Sequence, residues 1–117
     1  MRLNNKVAIV TGGGVGIGRA ISLAFAAEGA AVVVAARTLP RLEVVADEIR
    51  SGGGRAIAIQ TDVSDETRVK KMVAQTLDEY GRIDILVNNS GIAGPTVNVV
   101  ELKLDDWDEV LAYDWAA

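Results

Sequence analysis

The sequence has no cysteine and no histidine, only two prolines, and aromatic residues at 4% of its 117 positions. Without cysteine there is no disulfide and no thiolate metal cluster; without histidine there is no imidazole base or ligand. A Ser-His-Asp hydrolase is therefore excluded for this chain, and no metal site is expected. Positive charge is not in excess either. A formal net charge of −4 and a pI near 4.7 offer no general attraction for a phosphate backbone or an anionic membrane. Nucleic acid and membrane are not expected partners, and any phosphate site must be local. Met1 to Lys6 lead straight into a short apolar run, without the long hydrophobic segment of a signal peptide or a membrane span. The expectation is a soluble, cytoplasmic protein. Internal repeats and low-complexity tracts are also lacking, which sets solenoids and disordered arrays aside.

What remains is a chain that is 50% hydrophobic and carries 12 glycines, so its core must come from Ala, Val, Ile and Leu. That is the profile of parallel strands buried on both faces. A chain of 117 residues can build one compact domain with a real core and has no room for a second of ordinary size. Val7-Ala8-Ile9-Val10-Thr11 reads as a first strand, short, β-branched and closed by glycine. Ile17 opens a helical pattern through Ala20, Ile21, Ala24 and Phe25, with Gly29 at its end. Ala31–Ala36 reads as a second strand. Thr38 is placed to cap the next helix, with Pro40 in its first turn and Leu42, Val45, Ala46 and Ile49 on its buried face.

Ala56–Thr61 gives a third strand, and Ser64 with Asp65 and Glu66 supplies a cap and negative charge for a helix whose stripe is Val69, Met72, Val73, Thr76, Leu77 and Tyr80. Gly81 ends that helix, and Ile83–Asn88 forms a fourth strand before a mobile loop containing Gly91, Gly94 and Pro95. A last helical pattern begins at Asp105 and runs through Trp107, Val110, Leu111 and Trp115 with no stop signal, as if cut within the helix. Strict βα alternation implies a doubly wound α/β fold around a parallel sheet, with ligands beyond the carboxyl ends of the strands.

Between the first strand and the first helix lies Thr11-Gly12-Gly13-Gly14-Val15-Gly16-Ile17-Gly18. Backbone N–H groups and the helix dipole can hold a pyrophosphate at such a junction, and glycine both permits the unusual backbone angles and lets the phosphate approach. The alternative is a tight turn that merely joins two elements. Against it, five glycines between positions 12 and 18 weaken local structure beyond what a connector needs. A P-loop would require Lys followed by Ser or Thr where Arg19-Ala20 stands, and the common G-x-G-x-x-G spacing would require glycine where Ile17 stands.

The pattern T-G-x-x-x-G-x-G resembles that of the short-chain dehydrogenase/reductase family. Asp62-Val63 is similar to the family's acidic residue and neighbour that cradle adenine, and Asp84-Ile85-Leu86-Val87-Asn88-Asn89-Ser90-Gly91 to its D-I-L-V-N-N-A-G segment, with Ser90 in place of Ala. Trp107-Asp108-Glu109-Val110-Leu111 resembles the start of the following helix. Each segment also has a structural reading: Asp62 as a helix cap, Asn88 and Asn89 as loop ties, Trp107 as core or interface. Their joint order across nearly the whole chain carries the resemblance.

The resemblance implies a three-layer Rossmann-like sheet with strand order 3-2-1-4, later strands missing, within one NAD(P)-binding domain over residues 1–117. It implies an oxidoreductase moving hydride between a nicotinamide cofactor and an alcohol or ketone. Its expected cofactor-binding residues are Gly12, Gly14, Val15, Gly16, Ile17, Gly18, Arg37, Asp62, Val63, Asn88, Ser90 and Gly91. NAD-preferring Rossmann domains carry a carboxylate at the end of the second strand; here that end reads Ala35-Ala36-Arg37, with Arg41 one turn on. An arginine there can fork onto a 2′-phosphate, which favours NADP(H) and leaves NAD(H) possible. The alternative is an exposed loop arginine.

The family's catalytic Ser and Tyr-x-x-x-Lys have no counterpart: Tyr80 is followed four places on by Asp84 and Tyr113 by Ala117, and Asp114 stands where the family has Asn. No catalytic residue is assigned, and the chain alone is expected to be inactive. Truncation after strand four would expose the apolar edge Ile83–Val87, predicting self-association into a homo-oligomer or pairing with another chain. A non-catalytic nucleotide- or partner-binding module is the alternative function.

Overall fold

The structure, a computed structural model, describes residues 2–12, 16–62, 64–89 and 97–101. Its elements in chain order are β1 (Val7–Thr11), α1 (Gly16–Ala27), β2 (Ala31–Ala36), α2 (Leu39–Ser51), β3 (Arg55–Gln60), α3 (Glu66–Tyr80), β4 (Ile85–Asn89) and β5 (Val97–Glu101). The sheet order is β3-β2-β1-β4-β5. The first four strands are parallel, in the predicted order, and β5 joins β4 antiparallel.

All five residues of β1 are buried, as are Ala31–Ala35 of β2, because helices cover both faces of the sheet. On one face Ala8, Val10, Val32, Val34 and Val87 pack with Leu42, Val45, Ala46 and Ile49 of α2 and with Ile21 and Phe25 of α1. On the other, Ile9, Val33, Ala35 and Ile59 meet Val69, Met72 and Val73 of α3. Alternate residues of one strand thus feed two cores, which accounts for the continuous apolar run in the sequence. Removing a side chain such as Ile9, 1% exposed, costs about 2–5 kcal/mol through lost burial and the cavity left behind.

Several local expectations need correction. The buried line of α1 is Gly18 and Ser22, not Ala20 and Ala24, which are exposed; small residues let this helix approach the sheet, and the Ser22 hydroxyl donates to Gly18 O at 2.8 Å. Thr38 occupies the N-cap position of α2, but its side chain makes no capping bond. Asp65, not Ser64, caps α3, accepting from the N–H groups of Thr67 at 3.0 Å and Arg68 at 3.3 Å.

The expected open edge of the fourth strand is overturned. β5 pairs with β4 from Ile85↔Glu101 to Asn89↔Val97, so both edges of β4 are bonded and the edge expected to be exposed is covered. Val97–Glu101 alternates too little to stand out as a strand, and its partner was required to define it. The loop positions Gly91, Gly94 and Pro95, and the helix expected from Asp105 through Trp115 together with Tyr113 and Asp114, lie outside the described residues. Among the described residues no helix is long and apolar enough to cross a membrane.

Candidate functional site

The parallel register delivers the carboxyl ends of β1 to β4 to one rim of the sheet. On β1 that end is Thr11-Gly12, and Gly12 N–H donates to Ala35 O of β2 at 2.7 Å. The chain re-enters the described region at Gly16, the first residue of α1. Gly12 and Gly16 have φ of 65° and 56°, in the left-handed region where a Cβ is disfavoured. A Cβ built on Gly16 meets nothing within 4 Å among the described residues. Among the described residues packing does not demand glycine there; backbone conformation does. Ile17, next in line, leaves a large apolar side chain 45% exposed beside the turn. Gly18 is buried in the first turn of α1. Gly14 and Val15 lie outside the described residues.

Arg19, the cation nearest the glycine turn in sequence, is engaged by α2. Its guanidinium forks onto Glu48 of α2, with Nε to Oε1 at 3.2 Å and Nη2 on Oε2. That pairing across two helices is invisible in sequence order.

At the neighbouring rim position, Arg37 is the first residue beyond β2, with its side chain 75% exposed and Nε 3.9 Å from Asp62 Oδ1. Gln60 Nε2 donates to Arg37 O at 2.9 Å, and Thr61 N–H to Ala36 O at 2.8 Å. Asp62 is no helix cap. Its Oδ1 accepts from Ser64 Oγ at 2.6 Å and from Ser64 N–H at 2.9 Å. The Ser64 hydroxyl and then the Ser64 N–H hold the carboxyl below the ordinary aspartate range; desolvation opposes them, and the positive charges of Arg37 and Arg68 add smaller effects in the same downward direction. Asp62 is therefore anionic at neutral pH, and the contacts gather on one of its oxygens. Val63 lies outside the described residues.

On β4, Asn88 is reached through β1. The register Ala8↔Ile85, Ile9↔Leu86, Val10↔Val87 puts Thr11 beside Asn88 at the next step. Thr11 Oγ1 lies 3.2 Å from both Val87 O and Asn88 Oδ1, donating its one proton between them. At the opposite end of the same strand pair, Asp84 secures that register. Asp84 N–H donates to Val7 O at 2.8 Å, Asp84 Oδ2 accepts from Val7 N–H at 2.8 Å, and Arg82 forks onto the carboxylate. Ser90 and Gly91 lie outside the described residues.

The structure thus gathers Gly12, Gly16, Ile17, Gly18, Arg37, Asp62 and Asn88 at one rim of the sheet, with a cation and an anion among them. The family model for short chain dehydrogenases matches residues 6–116. The chain belongs to the short-chain dehydrogenase family. A short chain dehydrogenase of Pseudocercospora fijiensis is 50% identical over 111 residues, 93% of this chain and 36% of the relative. A 3-oxoacyl-[acyl-carrier-protein] reductase of Synechocystis is 44% identical over 110 residues, 93% of this chain and 44% of that protein. A solved 7α-hydroxysteroid dehydrogenase in complex with NADH and 7-oxo glycochenodeoxycholic acid superposes with a TM-score of 0.77 at 41% identity, over 81% of this chain and 37% of that one. This short-chain dehydrogenase chain therefore spans less than half the length of these relatives, and its Rossmann-like sheet corresponds to part of theirs.

Three residues of the rim escaped sequence reasoning. Thr11 sat within the glycine motif, yet its tie to Asn88 exists only through strand register. Ser64 reads in sequence as a helix cap, although its spacing two residues after an aspartate is also the pattern of a local turn bond. Gln60 gives no sequence signal, because its partner is 23 residues away, just past the end of a different strand.

Proposed function

We propose that the chain is the dinucleotide-binding half of an NADP(H)-dependent oxidoreductase that transfers hydride between its cofactor and an alcohol or ketone. Gly12, Gly14, Val15, Gly16, Ile17 and Gly18 hold the pyrophosphate at the start of α1. Arg37 takes the adenosine 2′-phosphate, Asp62 and Val63 the adenine, and Asn88, Ser90 and Gly91 complete the cofactor site from β4. The described part of this set fits such a group: a left-handed Gly16 with no described residue within 4 Å of where a Cβ would stand, a half-exposed Ile17 with an apolar surface to cover, and an exposed guanidinium. When bound, the nicotinamide supplies the hydride chemistry; the residues here bind and orient it.

One observation carries the choice of NADP(H). The side chain that projects where β2 ends is an arginine with three quarters of its surface in water, not a carboxylate. Its sole ionic neighbour among the described residues, Asp62, sits at 3.9 Å and is too far for a good hydrogen bond. The guanidinium is therefore only loosely engaged and can fork onto a phosphate. Titration calorimetry with NADPH and NADH tests this. Arg37→Ala should weaken NADPH by about tenfold or more, the worth of a charge-assisted bond, and change NADH little. An equal loss for both would overturn the cofactor assignment.

A further inference from the structure

The β2–β3 ladder ends in register at Ala36↔Gln60, so Arg37 is the first residue whose main chain the sheet no longer holds. Two bonds extend the hold past that limit. Thr61 N–H reaches Ala36 O at 2.8 Å by the ordinary backbone pattern, and the Gln60 side chain reaches Arg37 O at 2.9 Å. The second bond is unusual in kind: an exposed glutamine on an edge strand spends its amide on the carbonyl just past the end of the neighbouring strand rather than on water. It secures the main chain of Arg37 while leaving the guanidinium 75% exposed.

We propose that Gln60 is a positioning residue for cofactor selection, fixing the backbone of Arg37 so that its guanidinium is already placed for the 2′-phosphate of NADP(H). The proposal rests on the NADP(H) reading above. Its physical basis is preorganisation. A side chain presented from a fixed backbone loses less freedom on meeting its ligand, and the difference appears as affinity for whatever that side chain touches. Arg37 faces a group that NADPH has and NADH lacks, so loosening its backbone should alter the ratio of the two affinities. Asp62 helps from the other side. Its carboxylate is fixed by Ser64 and attracts the guanidinium without forming a close pair, so Arg37 is steered toward the rim and remains available.

A purely structural role for Gln60 predicts something else. Loss of a turn brace would lower stability and weaken both cofactors alike. The test is a cycle of four proteins, the wild type, Gln60→Met, Arg37→Ala and the double variant, titrated with NADPH, NADH, 2′,5′-ADP and 5′-AMP, with thermal unfolding recorded on each. Methionine keeps the length of glutamine and removes the donor. Gln60→Met should weaken NADPH and 2′,5′-ADP by about three- to tenfold, the range of one net hydrogen bond, and NADH and 5′-AMP by less than about twofold. In the Arg37→Ala background the same change should leave the NADPH to NADH ratio unaltered, since the residue through which Gln60 acts is gone.

Equal losses for both cofactors, or an undiminished effect of Gln60→Met without Arg37, would overturn the positioning role. If Arg37→Ala abolishes the 2′-phosphate preference and Gln60→Met leaves it intact, the cofactor reading stands and this inference falls. A wild type that shows no 2′-phosphate preference, or binds neither dinucleotide, removes both.

Discussion

Asp84 is where the tertiary structure makes its firmest quantitative demand. The carboxylate, 13% exposed, accepts Val7 N–H at 2.8 Å and is forked by Arg82, while Asp84 N–H closes the same junction onto Val7 O. Replacing it by alanine leaves the N–H of Val7, a residue 2% exposed, without its acceptor. An abandoned buried donor costs about 1–3 kcal/mol. The lost pairing adds less than about 1 kcal/mol, because the Arg82 side chain is 45% exposed and screened by water. Asp84→Ala should therefore lower the unfolding free energy at neutral pH by about 2–3 kcal/mol in urea titrations followed by circular dichroism. Asp84→Asn keeps an oxygen for Val7 and should lose about 1 kcal/mol.

The pH dependence supplies an independent check. Burial of Asp84 by itself raises its pKa, but the bonds from Arg82 and Val7 N–H and the charges of Arg82 and Lys6 outweigh it, so the net displacement is downward. A carboxyl whose native pKa lies below its unfolded value of about 3.9 stabilises fully above that pH, and the stabilisation is lost as pH falls through the native pKa. The gap between wild type and Asp84→Asn should thus be widest near neutrality and close in acid. A stability loss below about 0.5 kcal/mol for Asp84→Ala, smaller than any abandoned buried donor should give, would refute the reasoning. So would a gap for Asp84→Asn that is the same on both sides of the carboxyl titration.

Two further outcomes follow from the rim. Gly16→Ala should cost about 1 kcal/mol of stability, since an L-residue must hold φ of 56° but its methyl meets no described residue within 4 Å; its dinucleotide affinity, measured by calorimetry, should fall much further than its stability. Undiminished binding would remove the glycine turn from the site. Ser64→Ala deletes the contact that contributes most to the low pKa of Asp62, so the Asp62 carboxyl carbon should titrate at higher pH in NMR; an unmoved titration would show that the hydroxyl at 2.6 Å does not hold the anion.

Much of this molecule was legible without coordinates because its signals are local. A strand buried on both faces must be apolar throughout, and Val7–Thr11 and Ala31–Ala36 are; a helix facing a sheet must repeat its apolar residues at helical spacing, and Leu42, Val45, Ala46 and Ile49 do. The strand order followed from the family resemblance, and the rim residues from motifs whose chemistry depends on short spacing. On α1 the apolar pattern places Ile21 and Phe25 against the core as expected, but the fully buried positions are Gly18 and Ser22 and not Ala20 and Ala24, a choice among small residues that hydrophobic periodicity does not register.

What only the tertiary structure decided are pairings between distant positions. Whether β4 has a free edge depends on Val97–Glu101 folding back upon it, and no pattern within either segment states that. Arg19 belongs to Glu48, Thr11 to Asn88, Asp84 to Val7 and Gln60 to Arg37, each joined across elements that are adjacent in space and remote in sequence. Hydrophobic periodicity encodes which face is buried, since burial acts on each residue by itself. A directional hydrogen bond needs two partners within about 3 Å, and that condition exists only once register and packing have brought them together.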